Sequence, residues 1–404
     1  MTNHIADTLD FNKASESLKG VAAETKLIYS PVFSKESGNE IYIKPENLQV
    51  TGSFKVRGAY NKISKLSEEE KSKGIITSSA GNHAQGCALS AQKLGIKATI
   101  VMPVTTPLLK VNATRSYGAE VVLSGNVYDD AYKEAVRLQE EHGYTFVHAF
   151  DDLDVVEGQG TIALEILNEL KDVDYIVVPV GGGGLISGVS VAAKRVNPNV
   201  KIIGVEPAGA ASMIKALEEN EVTALDKVVT IADGCAVGKA GSKTYEIVKD
   251  YVDEIITITD EELMDAFLTL LENHKLIAEN SGLLSLAATK KLDVKSKKIA
   301  CIISGGNIDV LTINTLINHG LVSRGRRFCF TMNLPDKPGQ LTKVTEILAE
   351  QNANVIELSH DRYKGVNKFA DVELEVTVIT ESHEHIEKIT KAFNDNGFEI
   401  NKCY

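Results

Sequence analysis

Short apolar runs alternate with longer amphipathic stretches over most of the chain. The apolar runs have the length of strands and end at Ser78, Met102, Leu123, Val180 and Ile303. Strands of a parallel sheet are buried on both faces and read as continuous apolar runs, and each needs a crossover before the next. The alternation therefore predicts an α/β fold with open, mostly parallel sheets, whose ligands bind at the carboxyl ends of the strands.

The pattern changes after Gly320. A polar, basic stretch over residues 321–327 is predicted to link a first domain, residues 1–320, to a second domain, residues 328–404. The second domain has the predicted order βαββαβ of a ferredoxin-like fold, and about 75 residues can form such a domain. Its predicted elements are a strand over 328–334, a helix over 340–351, strands over 354–361 and 369–379, a helix over 383–395 and a strand over 397–402.

The composition is that of an ordinary globular protein, with 404 residues of which 43% are apolar and 24% charged. The net charge of −12 argues against a nucleic-acid partner, because such binding depends on basic residues that neutralise phosphates. Five scattered cysteines without a CxxC pair favour a reducing cytoplasm over disulfides or a metal site. No signal peptide is evident in Met1–Asp10, and no apolar run is long and continuous enough to span a membrane.

Three glycine-bearing turns stand out as candidate ligand sites. They are Ser79–His83, Gly181–Gly184 and Ser304–Asn307, and each follows a predicted strand. A strand, a glycine turn and a helix N-terminus can bind an anion, because free N–H groups and the positive end of the helix dipole face one point. A dinucleotide site is not favoured, since no GxGxxG with a downstream acidic residue occurs. The alternatives are glycines that serve packing alone and an Asn82 that only caps its helix.

Lys55 lies in the segment Ser53–Ala59, near the start of a helix predicted over 57–66. Most lysines lie on a solvated surface, but the neighbouring Gly52 and Phe54 favour a desolvated one. A desolvated lysine has a lowered pKa, which suits covalent catalysis and a role as a base. Together with the three turns, this segment predicts a pyridoxal phosphate (PLP) site in which Lys55 forms the Schiff base.

Four segments in this order resemble those of fold-type-II PLP enzymes, and most closely the threonine dehydratase (threonine ammonia-lyase) family. The segments are Ser53–Ala59, Ser79–Gly86, Gly181–Leu185 and Ser304–Asn307. The resemblance over residues 1–320 implies a lyase that converts L-threonine to 2-oxobutanoate and ammonia, by removal of the α-proton and β-elimination of water. It implies a place in isoleucine biosynthesis or in threonine catabolism.

The same resemblance implies a role for each site residue. Lys55 carries the cofactor and later acts as the base, Phe54 packs near the ring, and Ser304 bonds the pyridine nitrogen. Asn82 bonds the phenolic oxygen of the ring. The remaining implied cofactor-binding residues are Gly181, Gly182, Gly183, Gly184, Leu185 and Gly234, and the implied substrate-binding residues are Ser79, Ala80, Gly81, Asn82 and His83.

Three positions depart from patterns seen in relatives. Serine racemases of this family resemble a Ser-Ser-Gly-Asn-His pattern, but Ala80 occupies the second position here, so little racemisation is expected. Some relatives bind a divalent metal near the residue equivalent to Glu206, but Ala210 and Ser212 follow it here, and no metal site is predicted. Glu279 lies in a segment similar to one found near the cofactor, and no firm role is predicted for it.

The second domain resembles an ACT regulatory domain in its segment Asp336–Leu341. The resemblance implies an allosteric enzyme with feedback by isoleucine or valine, and a homo-oligomer, either a dimer or a tetramer. Gly339 and Asn354 are the candidate effector ligands. A domain that serves only assembly is the alternative.

Two other functions stay open at this point. The first is an L-serine dehydratase or serine racemase that uses the same site. The second is a non-catalytic amino-acid sensor, against which Lys55 argues, because a sensor has no need of a Schiff base.

Overall fold

The computed structural model describes residues 5–362 and 371–404. The chain divides into two compact units, Met1–Ile308 and Asp309–Tyr404. The helix Val310–Ser323 belongs to the second unit, whereas the sequence pattern assigns it to the first domain and to the start of the linker. The division into residues 1–320, 321–327 and 328–404 stays a prediction.

The first unit contains ten strands in its described part. These are β1 (Ile28–Tyr29), β2 (Glu40–Pro45), β3 (Ile75–Ser78), β4 (Ala98–Met102), β5 (Glu120–Leu123), β6 (Thr145–Phe146), β7 (Tyr175–Pro179), β8 (Lys201–Pro207), β9 (Glu254–Ile258) and β10 (Lys298–Ile303). They form a six-stranded sheet in the order β1-β2-β10-β7-β8-β9 and a four-stranded sheet in the order β5-β4-β3-β6. Neighbouring strands are parallel except β1, which is antiparallel to β2. The predicted α/β class is confirmed.

The helices of this unit pack on the two sheets. They are α1 (Phe11–Ser17), α2 (Pro31–Ser37), α3 (Lys55–Ser64), α4 (Glu68–Lys73), α5 (Asn82–Leu94), α6 (Leu108–Ser116), α7 (Tyr128–His142), α8 (Leu153–Glu169), α9 (Gly184–Val196), α10 (Ser212–Glu219), α11 (Ser242–Tyr251), α12 (Asp260–His274) and α13 (Leu284–Ala287). Single 3₁₀ turns lie at Ile5–Thr8, Glu46–Leu48, Ala208–Ala210, Asp233–Cys235, Asn280–Leu283 and Ala288–Lys290. The apolar faces of α8 and α9 share one core with β7, to which Ile166, Val189 and Val178 contribute.

The second unit is built on a four-stranded antiparallel sheet in the order β12-β13-β11-β14. Its strands are β11 (Arg327–Pro335), β12 (Asn354–Asp361), β13 (Asp371–Ile379) and β14 (Asn401–Lys402), and its helices are α14 (Val310–Ser323), α15 (Gln340–Glu350) and α16 (His383–Asp395). From β11 onward this is the predicted ferredoxin-like order. Residues 369 and 370 of the strand predicted over 369–379 lie outside the described residues.

Several predicted boundaries are wrong, and one of them bears on the site. The sequence pattern predicts a helix only over 161–170, but helix α8 begins at Leu153, because the Asp152 side chain accepts from the first N–H groups and caps it. Gly158 and Gly160 conceal this helix in the sequence. A Cβ at Gly158 would lie 2.5 Å from the Arg57 carbonyl oxygen, so α8 needs glycine there to approach the helix that carries Lys55.

The other boundary errors are at short elements. An amphipathic pattern in the sequence predicts a short helix over 12–22, but helix α1 ends at Ser17, ahead of Gly20 with its φ of +74°. The strand predicted over 397–402 contains only Asn401–Lys402. Within residues 5–362 and 371–404, no helix combines the length and the apolar character needed to cross a bilayer.

Candidate active site

The Lys55 segment and the Ser304 turn lie side by side. Ser53 forms an isolated antiparallel bridge with Gly305, and the Phe54 N–H donates to the Ser304 carbonyl at 3.1 Å. Helix α3 begins at the next residue, Lys55. The fold thus brings together two of the motifs that the sequence singles out, although they lie far apart in the chain.

The Lys55 side chain is half-buried. Its Nζ donates to the carbonyl oxygen of Ala149 at 2.8 Å and lies 5.2 Å from the centre of the Phe54 ring. Burial lowers the pKa of Lys55 to about 8, against the opposing influence of nearby groups that include the Glu279 carboxyl. An amine with so low a pKa is partly uncharged near neutral pH and can act as a nucleophile or a base.

The four glycines after β7 form a tight connection into α9. Gly183 caps the helix with a φ of +94°, a left-handed conformation that favours glycine. A Cβ at Gly182 would lie 2.3 Å from the Phe150 ring, and one at Gly184 would lie 2.9 Å from the Phe150 backbone. Close packing therefore requires glycine at both positions, which agrees with the alternative that these glycines serve packing. The first N–H groups of α9 have no partner within the helix, which also makes this turn a candidate anion site.

Asn82 is not the helix cap that the sequence predicts. Gly81 holds the cap position, and Asn82 is the first residue of α5. Its side chain is used elsewhere: Nδ2 donates to Glu279 Oε1 at 2.7 Å, and Oδ1 accepts from Asn307 Nδ2 at 2.8 Å. Asn82 therefore joins the Ser79–His83 turn to the Ser304–Asn307 turn.

The Ser79–His83 turn offers mainly backbone groups. The Ser79 hydroxyl accepts from the Gly81 N–H at 3.3 Å. The His83 ring is buried and lies 3.0 Å from the carbonyl of Val147, and burial lowers the pKa of His83 to about 3. The His83 imidazole is thus uncharged and already in contact with a carbonyl oxygen. The group that His83 can offer to a substrate is therefore its backbone N–H.

Gly234 lies between the Gly181–Gly184 turn and Glu279. A Cβ at Gly234 would lie 3.0 Å from Ser281 Oγ and 3.6 Å from Glu279 Oε1, and one at Gly181 would lie 3.1 Å from the Cys235 Cα. Burial raises the pKa of the Cys235 thiol to about 12, so this thiol stays protonated.

Sequence reasoning missed several groups that shape the site. The Ala149 carbonyl and the Phe150 ring contact Lys55 and Gly182, and Thr244 Oγ1 donates to the Gly182 carbonyl at 2.6 Å. Ala149 and Phe150 lie shortly after the carboxyl end of β6. Because ligands bind at the carboxyl ends of parallel strands, this position could have indicated both residues from the sequence. Thr244 gave no signal, because it lies far along the chain in α11.

Glu206, considered above in connection with a metal, caps a helix. Its carboxylate accepts from the N–H groups of Met213 at 2.8 Å and Ile214 at 2.9 Å. Burial raises the pKa of Glu206 to about 7. Within residues 5–362 and 371–404, no group of three or more His, Cys, Asp and Glu side chains could hold a metal ion.

The donor set fits PLP. A desolvated, partly uncharged lysine amine suits an aldehyde, and N–H groups at a helix N-terminus suit a phosphate. The backbone also needs room beside these groups: a Cβ at Gly305 would lie 2.4 Å from Glu279 Oε1 and 3.1 Å from Asn82 Nδ2. No other residue type could stand at this point without moving the groups around it.

Comparison with known proteins identifies the class. The profile of the family described as "Pyridoxal-phosphate dependent enzyme" matches residues 18–305, a range that contains Lys55, the glycine turn and Ser304. The chain belongs to this family of PLP-dependent enzymes, and PLP is its cofactor.

Individual relatives show which PLP-dependent enzymes the chain is similar to. The chain is 51% identical to L-threonine ammonia-lyase of Thermotoga maritima over 394 residues, which cover 97% of this chain and 98% of the relative. The solved structure of the processed form of threonine deaminase isoform 2 from Solanum lycopersicum matches with a TM-score of 0.73 at 40% identity, covering 76% of this chain and 93% of that one. Maize serine racemase also matches with a TM-score of 0.73, at 35% identity, covering 78% and 97%.

Proposed function

We propose that the protein is an L-threonine ammonia-lyase, which converts L-threonine to 2-oxobutanoate and ammonia. The observation that carries the proposal is the half-buried Lys55 amine, in a segment that lies beside the Ser304 turn, in a chain 51% identical over 97% of its length to an L-threonine ammonia-lyase. When bound, PLP supplies the electron sink that makes the α-proton of an amino acid removable.

The chain's own residues divide the remaining work. Lys55 would hold the cofactor, and its amine, which burial keeps partly uncharged, would remove the α-proton of the substrate. The N–H groups of residues 181–185 would hold the phosphate, and those of residues 79–83 would hold the substrate carboxylate. The Ser304 hydroxyl would bond the pyridine nitrogen, and Phe54 would pack near the ring.

The test is release of 2-oxobutanoate and ammonia from L-threonine, compared with pyruvate and ammonia from L-serine. We expect a higher kcat/KM for threonine, by a factor within the roughly 10–200-fold that one methyl group allows. A higher kcat/KM for serine would change the assignment to an L-serine dehydratase. No release from either, by protein that has taken up PLP, would contradict the proposed reaction and leave the cofactor assignment.

A serine racemase is the second candidate, because maize serine racemase matches the fold with a TM-score of 0.73. Racemisation needs an acid on the face of the substrate opposite Lys55. Ala80 stands where the racemase pattern has serine, and it packs against the apolar core of its unit. This alanine supports elimination over racemisation.

Ala80→Ser should therefore raise the formation of D-serine from L-serine by at least about tenfold, since a positioned proton donor contributes roughly 10²–10⁴-fold. Ala80→Gly is the matched control, because it changes the space and adds no hydroxyl. The measurement is chiral chromatography of the amino acids after incubation. Substantial D-serine from the unaltered protein would contradict the proposal that alanine at position 80 prevents racemisation.

We assign the second unit to the ACT class and propose that it binds isoleucine, or valine, as a feedback effector. Gly339 caps α15 with a φ of +87° and offers N–H groups there, whereas Asn354 begins β12 beyond the other end of α15. Eleven helical residues separate them, about 16 Å at 1.5 Å per residue. A single amino acid can contact both only if they come from two copies of the domain, which supports a dimer or tetramer.

Isoleucine at millimolar concentration should change the deamination rate and raise the melting temperature. Asn354→Ala should weaken this response about tenfold, the equivalent of one hydrogen bond to a charged ligand. Asn396→Ala is the control, since Asn396 is an exposed asparagine that ends α16 in the same unit. A flat response of both rate and melting to isoleucine and valine would leave assembly as the role of this unit.

The effector would indicate the pathway. Feedback by isoleucine would indicate isoleucine biosynthesis, and its absence would favour threonine catabolism. Five cysteines without a disulfide support a reducing cytoplasm.

A further inference from the structure

The Asn82 carboxamide is held from two sides by residues that have no assigned role. Glu279 Oε1 accepts from Asn82 Nδ2 at 2.7 Å, and Asn307 Nδ2 donates to Asn82 Oδ1 at 2.8 Å. Asn307 Nδ2 also donates to the Thr51 carbonyl at 2.7 Å. Both N–H groups of Asn307 are therefore used, and its amide cannot rotate without losing them.

We propose that Glu279 and Asn307 are positioning residues that fix the Asn82 carboxamide so that its one remaining N–H is directed to the ring oxygen of bound PLP. An amide has two N–H donors and one carbonyl acceptor. In Asn82 the acceptor is bonded to Asn307 and one donor is bonded to Glu279. The second donor is the group left for a ligand.

The arrangement also excludes the flipped amide. If Asn82 were turned over, its carbonyl oxygen would face Glu279 Oε1 and its nitrogen would face the Asn307 nitrogen. The two nitrogens would then oppose each other as donors, at the cost of the hydrogen bond from Asn307, whose nitrogen is held in place by the Thr51 carbonyl. A free asparagine would sample both orientations, so Asn307 selects the donor orientation and Glu279 accepts the hydrogen bond that this orientation offers.

Glu279 is itself rigidly placed. Its N–H donates to the Gly305 carbonyl at 3.0 Å, and its own carbonyl accepts from the Gly282 N–H at 2.8 Å. A Cβ at Gly305 would lie 2.4 Å from Glu279 Oε1, so the glycine of the Ser304 turn provides the space for this carboxyl. The support for Asn82 thus comes from the Ser304–Asn307 turn and from the Glu279 segment that is hydrogen-bonded to it.

The charge state of Glu279 fits a positioning role. Burial, together with the neighbouring Asp233, raises the pKa of Glu279 to about 8, whereas the Asn82 hydrogen bond, Lys110 and Lys55 act in the lowering direction. The nearby Cys235 thiol stays protonated at neutral pH. Glu279 is therefore mostly a neutral carboxyl at pH 7, whose carbonyl oxygen accepts from Asn82. Glutamine can supply the same acceptor, but it cannot transfer a proton.

The first experiment measures PLP affinity and the visible circular dichroism of bound PLP, without substrate. Glu279→Ala should weaken PLP binding about tenfold, the equivalent of one buried hydrogen bond, and change the dichroism at saturating PLP. Glu279→Gln should restore both to within about twofold. Asn280→Ala is the matched control, because Asn280 lies next in the chain and its Nδ2 donates to the Ile231 carbonyl instead.

The decisive experiment repeats Glu279→Ala in an Asn82→Ala background. If Glu279 acts through Asn82, its replacement should there change PLP affinity by less than about twofold. A full loss in that background, or unchanged affinity and dichroism in Glu279→Ala itself, would overturn the proposal. Failure of Glu279→Gln to restore binding would also overturn it.

Asn307→Asp provides an independent variant if Glu279→Ala does not fold. It keeps the shape of the side chain but places an oxygen against Asn82 Oδ1, so PLP affinity should again fall about tenfold. Unchanged affinity would contradict the proposal. The proposal rests on the same site as the proposed function, but PLP binding is measured without an amino acid, so the two fail separately.

Discussion

Replacing Lys55 with alanine should lower the rate of threonine deamination by at least about 10³-fold, because it removes both the attachment point of PLP and the base. Borohydride reduction before proteolysis should attach PLP to the peptide that contains Lys55 in the unaltered protein, and to no peptide in the variant. The melting temperature of the variant should not fall below that of the unaltered protein without PLP. Burial disfavours the charged amine, and alanine suits the first position of α3.

Lys62→Ala is the matched control for this loss. Lys62 lies on the same helix but pairs with Asp152 at 3.0 Å and Asp154 at 3.1 Å, away from the Ser304 turn. Its replacement should leave the rate within about twofold, because partly exposed ion pairs contribute little. Retention of more than a tenth of the rate in Lys55→Ala would contradict the assigned role of Lys55.

Much of the fold could be predicted from local sequence patterns. The strand β7, the glycines after it and the helix α9 follow one another in the chain, so apolar runs, turn residues and helical periodicity sufficed to predict them. The ferredoxin-like order of the second unit was predictable for the same reason. The start of α8 was missed, because glycines that permit close packing read as helix-breaking residues in a single sequence.

Contacts between distant segments could not be predicted from such patterns. Asn82 and Glu279 are 197 residues apart, and no local propensity links them. The same holds for Lys55 and Ala149, which are 94 residues apart. His83 shows the opposite error: its neighbours indicated a functional turn, but nothing in the sequence revealed that its ring is directed into the core. The order of the motifs indicated which segments share the site. Only the folded structure shows which of their atoms are in contact.

Arg57 lies two residues after Lys55 and anchors α3 in a buried ionic cluster that no motif indicated. Its guanidinium donates to both oxygens of Glu46 at 2.8 Å and to both oxygens of Glu165 at 2.6 and 2.9 Å. Lys44 donates to Glu165 at 2.5 Å. Arg57, Glu46 and Lys44 are at most 1% exposed, so each charge depends on its partners.

Arg57→Ala should therefore lower the free energy of unfolding of the first unit by about 3–5 kcal/mol, because it leaves buried carboxylates without their main partner. Urea unfolding followed by far-ultraviolet circular dichroism measures this, since the chain contains no tryptophan. Arg137→Ala is the control. That arginine pairs with Glu134 and Glu141 while 57% exposed, and its loss should not measurably shift the unfolding midpoint.

The deficit of Arg57→Ala should also shrink as the pH falls from 8 to 5. In the intact protein burial acts to raise the pKa of Glu46, but Arg57 outweighs it and the pKa lies below its usual value. Without Arg57, burial prevails and the pKa of Glu46 rises, so the variant carries an unpaired buried charge above that pKa and a neutral carboxyl below it. Glu46→Gln added to Arg57→Ala should recover part of the loss at pH 8 and little of it at pH 5. A deficit that does not change with pH would show that the loss arises from packing of the long arginine side chain rather than from its charge.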